Sequence, residues 1–298
     1  MSFTLRIINE LVGKEYEKSC CKKAFIFGLF FSAERISRRE IRVELKTEDS
    51  ACLAEGILKK QFSAEPLVEP VVRAGRRLFW VTLSSKALSI YLDKIDGEGE
   101  ISAEEFENII GFRCEECKRA FLAGVFVSCG IATDPEKRYS LEFGVKMESR
   151  AFCLSMFLCN SVGEPSCVDR RGRIGLYYKG NERISDILSY IGASQASYAV
   201  IDAYVAHAIR NDENRATNCV LRNIQRSVAA TGRHIEAIEL LCASGRFELL
   251  SEELKYTARL RQEYDSATLS ELAEMHEPPI SKSGLNRRLE KIVEFANQ

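Results

Sequence analysis

The chain has 298 residues, 46% hydrophobic and 29% charged, which excludes a disordered polymer and leaves room for two domains, or for one large one with an appendage. A formal net charge of -1 excludes a chain-wide electrostatic footprint for nucleic acid, so any such binding must come from a local basic surface. No stretch approaches the ~20 apolar residues of a membrane span, and the opening MSFTLRIINELVGKE lacks the marks of a secretory signal, so a cytoplasmic protein with reduced thiols and no membrane partner is expected.

The first informative stretch is Cys20 to Glu34, CCKKAFIFGLFFSAE, in which Ala24 to Ala33 carry almost nothing polar. A second copy, CKRAFLAGVFVSCG, runs from Cys117 to Gly130, so that Cys117 stands 96 positions after Cys21. Near this offset Arg77-Leu78-Phe79-Trp80-Val81 falls on Arg173-Ile174-Gly175-Leu176-Tyr177, and Lys46-Thr47-Glu48 falls on Lys146-Met147-Glu148. The chain therefore holds two copies of one unit of roughly a hundred residues.

Each copy reads alike. After the apolar helix, alternation in Ile41 to Leu45 and in Tyr139 to Phe143 predicts a half-buried strand. Helices are predicted over Asp49 to Gln61 and Ser149 to Asn160. Two strands follow, Leu67 to Val72 and Leu78 to Leu83 in the first copy, then one near Val168 and Arg173 to Tyr178 around the turn Arg171-Gly172 in the second. A last helix closes each copy, giving an α+β unit. The apolar helix lacks a wet face, so it is expected to be buried all round. Its economical partner is its duplicate, with Ala24, Gly28, Ala120, Ala123 and Gly124 allowing close approach; the alternative is that each helix is the core of a separate domain.

Beyond the repeat, Gln195 to Arg210 and Ala216 to Leu241 are helical in pattern, and the polar stretch RNDENRATNC between them reads as a solvated loop or helix start. Its Arg210 and Arg215 are candidates for phosphate contacts or for tying domains together. Gly245 ends the long helix, and three short helices follow. Leu250, Leu254, Thr257 and Ala258 stripe the first; Thr268-Leu269-Ser270-Glu271 is a capping box opening the second. His276 to Pro279 make a turn, and Ser281 caps a third helix whose core positions are Leu285, Leu289 and Ile292. Stepping about 100° per residue puts Ser283 and Arg287 opposite that stripe, Asn286 and Lys291 on its flanks, and Lys282 and Arg288 at the sides. Asn and Arg can read base edges in the major groove, while lysines and the helix N-terminus meet phosphates. The alternative is a small helical domain whose outer charges keep it soluble, with Glu290 and Glu294 on the same face.

Eleven cysteines without an export signal read mainly as small core residues. Only Cys114 and Cys117 have ligand spacing, in CEEC. A structural zinc needs four ligands and no second CxxC or spaced His pair exists, so neither metal nor cofactor is expected.

Two resemblances sharpen this reading. Leu122 to Gly130, LAGVFVSCG, resembles the LAGLIDADG motif of homing endonucleases, and Ile26 to Glu34 is a weaker copy. The resemblance implies two paired helices at the centre of a pseudo-dimer, sheets forming a saddle over DNA, and a metal-binding acid at the next-to-last motif position. Here Ala33 and Cys129 occupy that position, and neither binds magnesium, so no catalytic residue is assigned. From end to end the sequence is also similar to the WhiA family of bacterial DNA-binding regulators. That similarity is carried by Ser19-Cys20-Cys21-Lys22-Lys23-Ala24, Lys118-Arg119-Ala120-Phe121-Leu122, Arg210-Asn211 through Asn218-Cys219, and Ile280-Ser281-Lys282-Ser283-Gly284-Leu285-Asn286. The chain departs from the family pattern at Arg287, where His is usual, and at Glu116-Cys117, where paired cysteines are usual.

The expected architecture is α+β: two tandem LAGLIDADG-like αββαββα repeats, residues 1–98 and 99–194, forming a pseudo-dimer. A helical linker, 195–245, and an all-α helix-turn-helix domain, 246–298, complete it. The resemblance implies double-stranded promoter DNA as partner, a sigma factor or division protein as a further one, nucleoid association, and roles in cell division, chromosome segregation or sporulation. A scaffold of the division apparatus with weak DNA affinity is the competing reading.

Overall fold

In a computed structural model, residues 1–37, 40–97, 101–170 and 172–298 are described. The expected repeat boundary at 98/99 and the turn residue Arg171 lie outside them. The chain divides into two compact units, Met1–His207 and Ala208–Gln298.

In the first unit, α1 (Phe3–Val12) and α2 (Ser19–Leu29) lead into β1 (Glu34–Arg35), β2 (Glu40–Leu45), α3 (Glu48–Phe62), β3 (Leu67–Arg73), β4 (Arg76–Ser84) and α4 (Lys86–Asp96). The second copy repeats the order: α5 (Ala103–Ile110), α6 (Glu115–Cys129), β5 (Gly130–Ala132), β6 (Ser140–Val145), α7 (Glu148–Ser161), β7 (Ser166–Arg170), β8 (Arg173–Lys179) and α8 (Asn181–Ile191). Both antiparallel sheets have the same strand order, β1-β2-β4-β3 and β5-β6-β8-β7. Helices α1 and α5 extend the expected unit by one element each. Ser2 and Ser102 cap them, the latter in a full capping box with Glu105.

The register follows from alternation. In β2, Ile41, Val43 and Leu45 are buried while Arg42 and Glu44 face the other side, opposite Thr82 and Trp80 of β4. Both inner faces and the helices they cover join one core, at whose centre α2 and α6 pack on each other. Each side chain of α6 from Ala120 to Cys129 is buried, the all-round burial predicted for a helix with no polar stripe.

Helix α9 (Ser194–Ala243) gives its first turns to the first unit and the rest to the second. It corrects the sequence reading: RNDENRATNC is neither loop nor helix start but the middle of a 50-residue helix. The stretch has no Gly or Pro, and Asp212 pairs with Arg215 at 3.7 Å, one turn on. Polarity there marked exposure, since every residue from 208 to 229 is exposed, and not a break.

In the second unit, α10 (Glu252–Glu263), α11 (Leu269–Glu274) and α12 (Lys282–Ala296) pack with Ala237, Ile238 and Leu241 of α9 around Leu272, Leu285, Leu289 and Ile292. Gly245, at φ +69°, follows the long helix as its sequence position predicts. Arg261, which sequence reading passed over, is buried; its guanidinium donates to the carbonyls of Asp265 and Ala267 and pins the α10–α11 turn.

Candidate nucleic-acid interface

Helix α12 carries most of the predicted base-reading residues. Ser281 caps it, its hydroxyl accepting from the Gly284 amide at 3.1 Å, so the first turn is fixed by its own sequence. Leu285, Leu289, Ile292 and Ala296 are buried and hold the helix by one face. Ser281, Lys282, Ser283, Asn286, Arg287 and Lys291 are all exposed. Arg288 differs: it is partly buried and reaches Glu253 of α10 at 3.3 Å, which makes it a tie between helices as much as an outward cation. Glu290 turns toward buried His234, its carboxylate 4.0 Å from Nε2, so it is drawn away from the outward face.

Arg210 and Arg215 are both exposed on α9, about 140° apart around the helix. The structure adds what the expected break concealed. Arg215, Arg222, Arg226 and Arg233 are exposed and spaced 7, 4 and 7 apart, so one unbroken helix aligns them in a single stripe within about 20° of its mean direction. That spacing was readable in the sequence; only a continuous helix gives it meaning.

In the first unit, a cleft of about 890 Å³ lies where the ends of the two central helices meet the sheets, lined by Ala33, Ser128 and Cys129. Six basic and three acidic side chains border it, and each acid is answered. Glu34 pairs with Lys146, whose hydrogen bond holds its carboxyl below the usual range. Glu44 pairs with Arg73 at 2.9 Å. Asp96 takes a two-point bond from Arg150, at 2.6 and 2.7 Å. Arg150 is buried, and its remaining nitrogen donates to the carbonyls of Phe31 and Ala33 at 2.8 and 2.7 Å. On the other side, Lys46 donates to the Gly130 carbonyl at 2.6 Å, with burial pushing its ammonium down to about 8. A basic side chain thus donates to the backbone at Ala33 and at Gly130, the residue after Cys129, beside the two motif positions where the resemblance puts an acid. Arg42 stacks on Trp80, 4.2 Å from the ring centroid, and bonds Thr82.

At the opposite ends of the same helices the structure assembles something the sequence reading missed. Cys20, Cys21, Cys114 and Cys117 meet, with all four sulfurs within 4.8 Å of one another. The thiols that join those of CEEC belong not to a second CxxC but to the adjacent pair Cys20-Cys21 on the partner helix. The offset of 96 that overlays Cys117 on Cys21 was the available signal, since two helices that pair in register bring equivalent positions together.

Paired LAGLIDADG-type α+β repeats followed by a helix-turn-helix unit define the class of this protein. The model of the WhiA LAGLIDADG-like domain matches residues 118–210, and that of the WhiA C-terminal HTH domain matches residues 214–296. Probable cell division protein WhiA of Alkaliphilus metalliredigens is 31% identical over 313 residues, all of this chain and 98% of the relative. Its counterpart in Caldicellulosiruptor bescii is 38% identical over 314 residues, all of this chain and 95% of the relative. Among solved structures, full-length DUF199/WhiA from Thermatoga maritima superposes with a TM-score of 0.60 at 22% identity, covering 100% of this chain and 98% of that one. The chain belongs to the WhiA family.

Proposed function

We propose that this chain is a DNA-binding regulator that reads double-stranded promoter DNA through α12, and that its first unit cleaves nothing. The observation that carries the reading is a helix held by one apolar face, capped at Ser281, with Ser283, Asn286 and Arg287 exposed in its first two turns. Arg and Asn there match the donor and acceptor pattern of base edges; Lys282, Lys291 and the α9 arginines supply sequence-independent attraction to phosphate. Residues 195–245 act as the helical linker, its last turns built into the core of the second unit, and 246–298 as the reader.

Against nuclease chemistry, Ala33 and Cys129 offer no oxygen ligand to a hard cation, and Arg150 and Lys46 place positive charge beside them. The relatives' name points to cell division, and the family resemblance adds chromosome segregation or sporulation, with a sigma factor or division protein as a further partner and the cytoplasmic nucleoid as location. A scaffold role is the second reading, favoured by the exposed Val220, Leu221, Ile224 and Val228 of α9. Chromatin immunoprecipitation separates the two: sharp promoter peaks support the regulator, and diffuse signal supports the scaffold. Metal-dependent cutting of duplex DNA by pure protein, lost in a Glu34→Gln variant, would overturn the assignment of a dead nuclease.

A further inference from the structure

Four of the eleven cysteines converge at one point, and they come from two places far apart in the chain. Cys20 and Cys21 sit in the first turn of α2; Cys114 is the N-cap residue of α6, and Cys117 lies in its first turn. The pairing of α2 with α6 therefore superimposes two helix N-termini and four thiols.

The separations are informative. Cys114 and Cys117 sulfurs are 3.5 Å apart, Cys21 and Cys114 3.7 Å, and Cys21 and Cys117 3.9 Å. A disulfide needs about 2.05 Å, so none of these is one. Four sulfurs around a zinc ion at about 2.3 Å, at the tetrahedral angle, stand about 3.8 Å from each other. Core packing is a poor account of the group, because Cys20 and Cys114 remain partly open to solvent. Their exposure also gives an ion a way in. Two helix N-termini present positive dipole ends to the same point, which suits a tetrathiolate centre of net negative charge; the flanking side chains are of both signs, Lys18, Lys22, Lys23 and Arg113 against Glu17, Glu115 and Glu116.

We infer that Cys20, Cys21, Cys114 and Cys117 form a closed, structural zinc site that clamps the two repeats together at the heads of their central helices. Zinc is favoured over magnesium or calcium because all four donors are soft thiols, and four protein ligands leave no open position for catalysis. Binding displaces four protons, one from each thiol, and moves no electron. The site is independent of the DNA-binding reading.

The test uses the full chain, purified from zinc-supplemented cells without chelator, with metals counted by mass spectrometry. One zinc per chain is expected. Cys20→Ser and Cys114→Ser, both at partly exposed positions, should each lower retained zinc about tenfold or more, whereas Cys52→Ser should not. Should the ligand variants fail to fold, stripping wild-type protein with a chelator must lower its Tm and added zinc must restore it. Cobalt replacing zinc must give the intense visible bands of a tetrahedral thiolate centre. Metal-free wild-type protein whose Tm ignores added zinc overturns the proposal, as does stoichiometric iron in place of zinc.

Discussion

Gly28 and Gly124 stand at equivalent points of the two central helices, each against the backbone of the other. A Cβ on Gly28 would lie 2.0 Å from the Phe121 carbonyl oxygen, and one on Gly124 would lie 2.1 Å from that of Phe25. Phe25 and Phe121 are themselves 96 positions apart, so the contact is reciprocal, as expected of an interface related by pseudo-two-fold symmetry. Close packing of α2 on α6 therefore requires a residue without a Cβ at both points.

Gly28→Ala and Gly124→Ala should therefore destabilise the first unit by about 3 kcal/mol or more, because the clash is with backbone and cannot be relieved by a rotamer change. Gly56→Ala is the contrast. It lies in helix α3 with nothing within 4 Å of the point where a methyl would stand, so Ala should stabilise by about 0.5–1 kcal/mol. Denaturant titration of the three variants checks both signs, and equal effects would remove the packing account.

Arg150 is a further structural tie between the repeats, joining α7 to Asp96 at the end of α4 and to the carbonyls that follow α2. Arg150→Ala would leave Asp96 without its partner and two carbonyls without a donor, and should cost about 3–5 kcal/mol. Asp96→Asn, which keeps the shape and one acceptor, should cost less. The order of the two midpoints in urea is the readout.

The second unit should lose stability below neutral pH. His234 and His276 are buried, and burial lowers both imidazoles from 6.5. Neither His234 nitrogen has a hydrogen-bond partner, and of the charges around it Glu290 opposes the shift while Arg261 and Arg233 add to it. The unfolded chain binds protons near pH 6.5 that the folded unit refuses. Stability is thus fully present above that pH and falls, as pH drops toward the folded values, by up to about 1.4 kcal/mol per pH unit for each histidine. His234→Gln should flatten the slope measured by chemical unfolding between about pH 7 and 5 by roughly one histidine's share.

The repeat, both sheets and the helix-turn-helix unit were legible because their signals are local: alternation in Ile41 to Leu45, the box at Thr268 and Glu271, the stripe of Leu285, Leu289 and Ile292. Close approach at Gly28 and Gly124 was legible too, since small residues recur there at the repeat offset. Three things were not. The continuity of α9 was hidden by a polar stretch that resembles a loop in composition, and with it the alignment of Arg215, Arg222, Arg226 and Arg233. The bonds of Arg150 join residues 54 and 117 or more positions apart, which no periodicity encodes. The cysteine cluster draws an adjacent pair from one copy and a CxxC from the other, so neither half meets a ligand motif alone.

The proposed recognition of DNA by α12 separates into parts that can be tested one at a time. Arg287 is exposed two helical positions short of buried Leu289, on the outward side near the capped end. There its guanidinium can meet a guanine edge by two parallel bonds, so Arg287→Ala should weaken specific binding by about 1–3 kcal/mol and leave non-specific binding nearly unchanged. On the same proposal Lys291, a turn later, and Arg222, on the α9 stripe, meet phosphate. Lys291→Ala or Arg222→Ala should weaken both kinds of binding alike and each reduce the slope of log affinity against log salt by about one contact. Arg288→Ala should lower the stability of the second unit slightly as well, since its bond to Glu253 joins α12 to α10 at a partly exposed pair. Fluorescence anisotropy on promoter and scrambled duplexes at several salt concentrations distinguishes these outcomes. If Arg287→Ala binds both duplexes like the parent chain, α12 does not read bases, and the exposed residues of its first two turns serve only to keep the helix in solution.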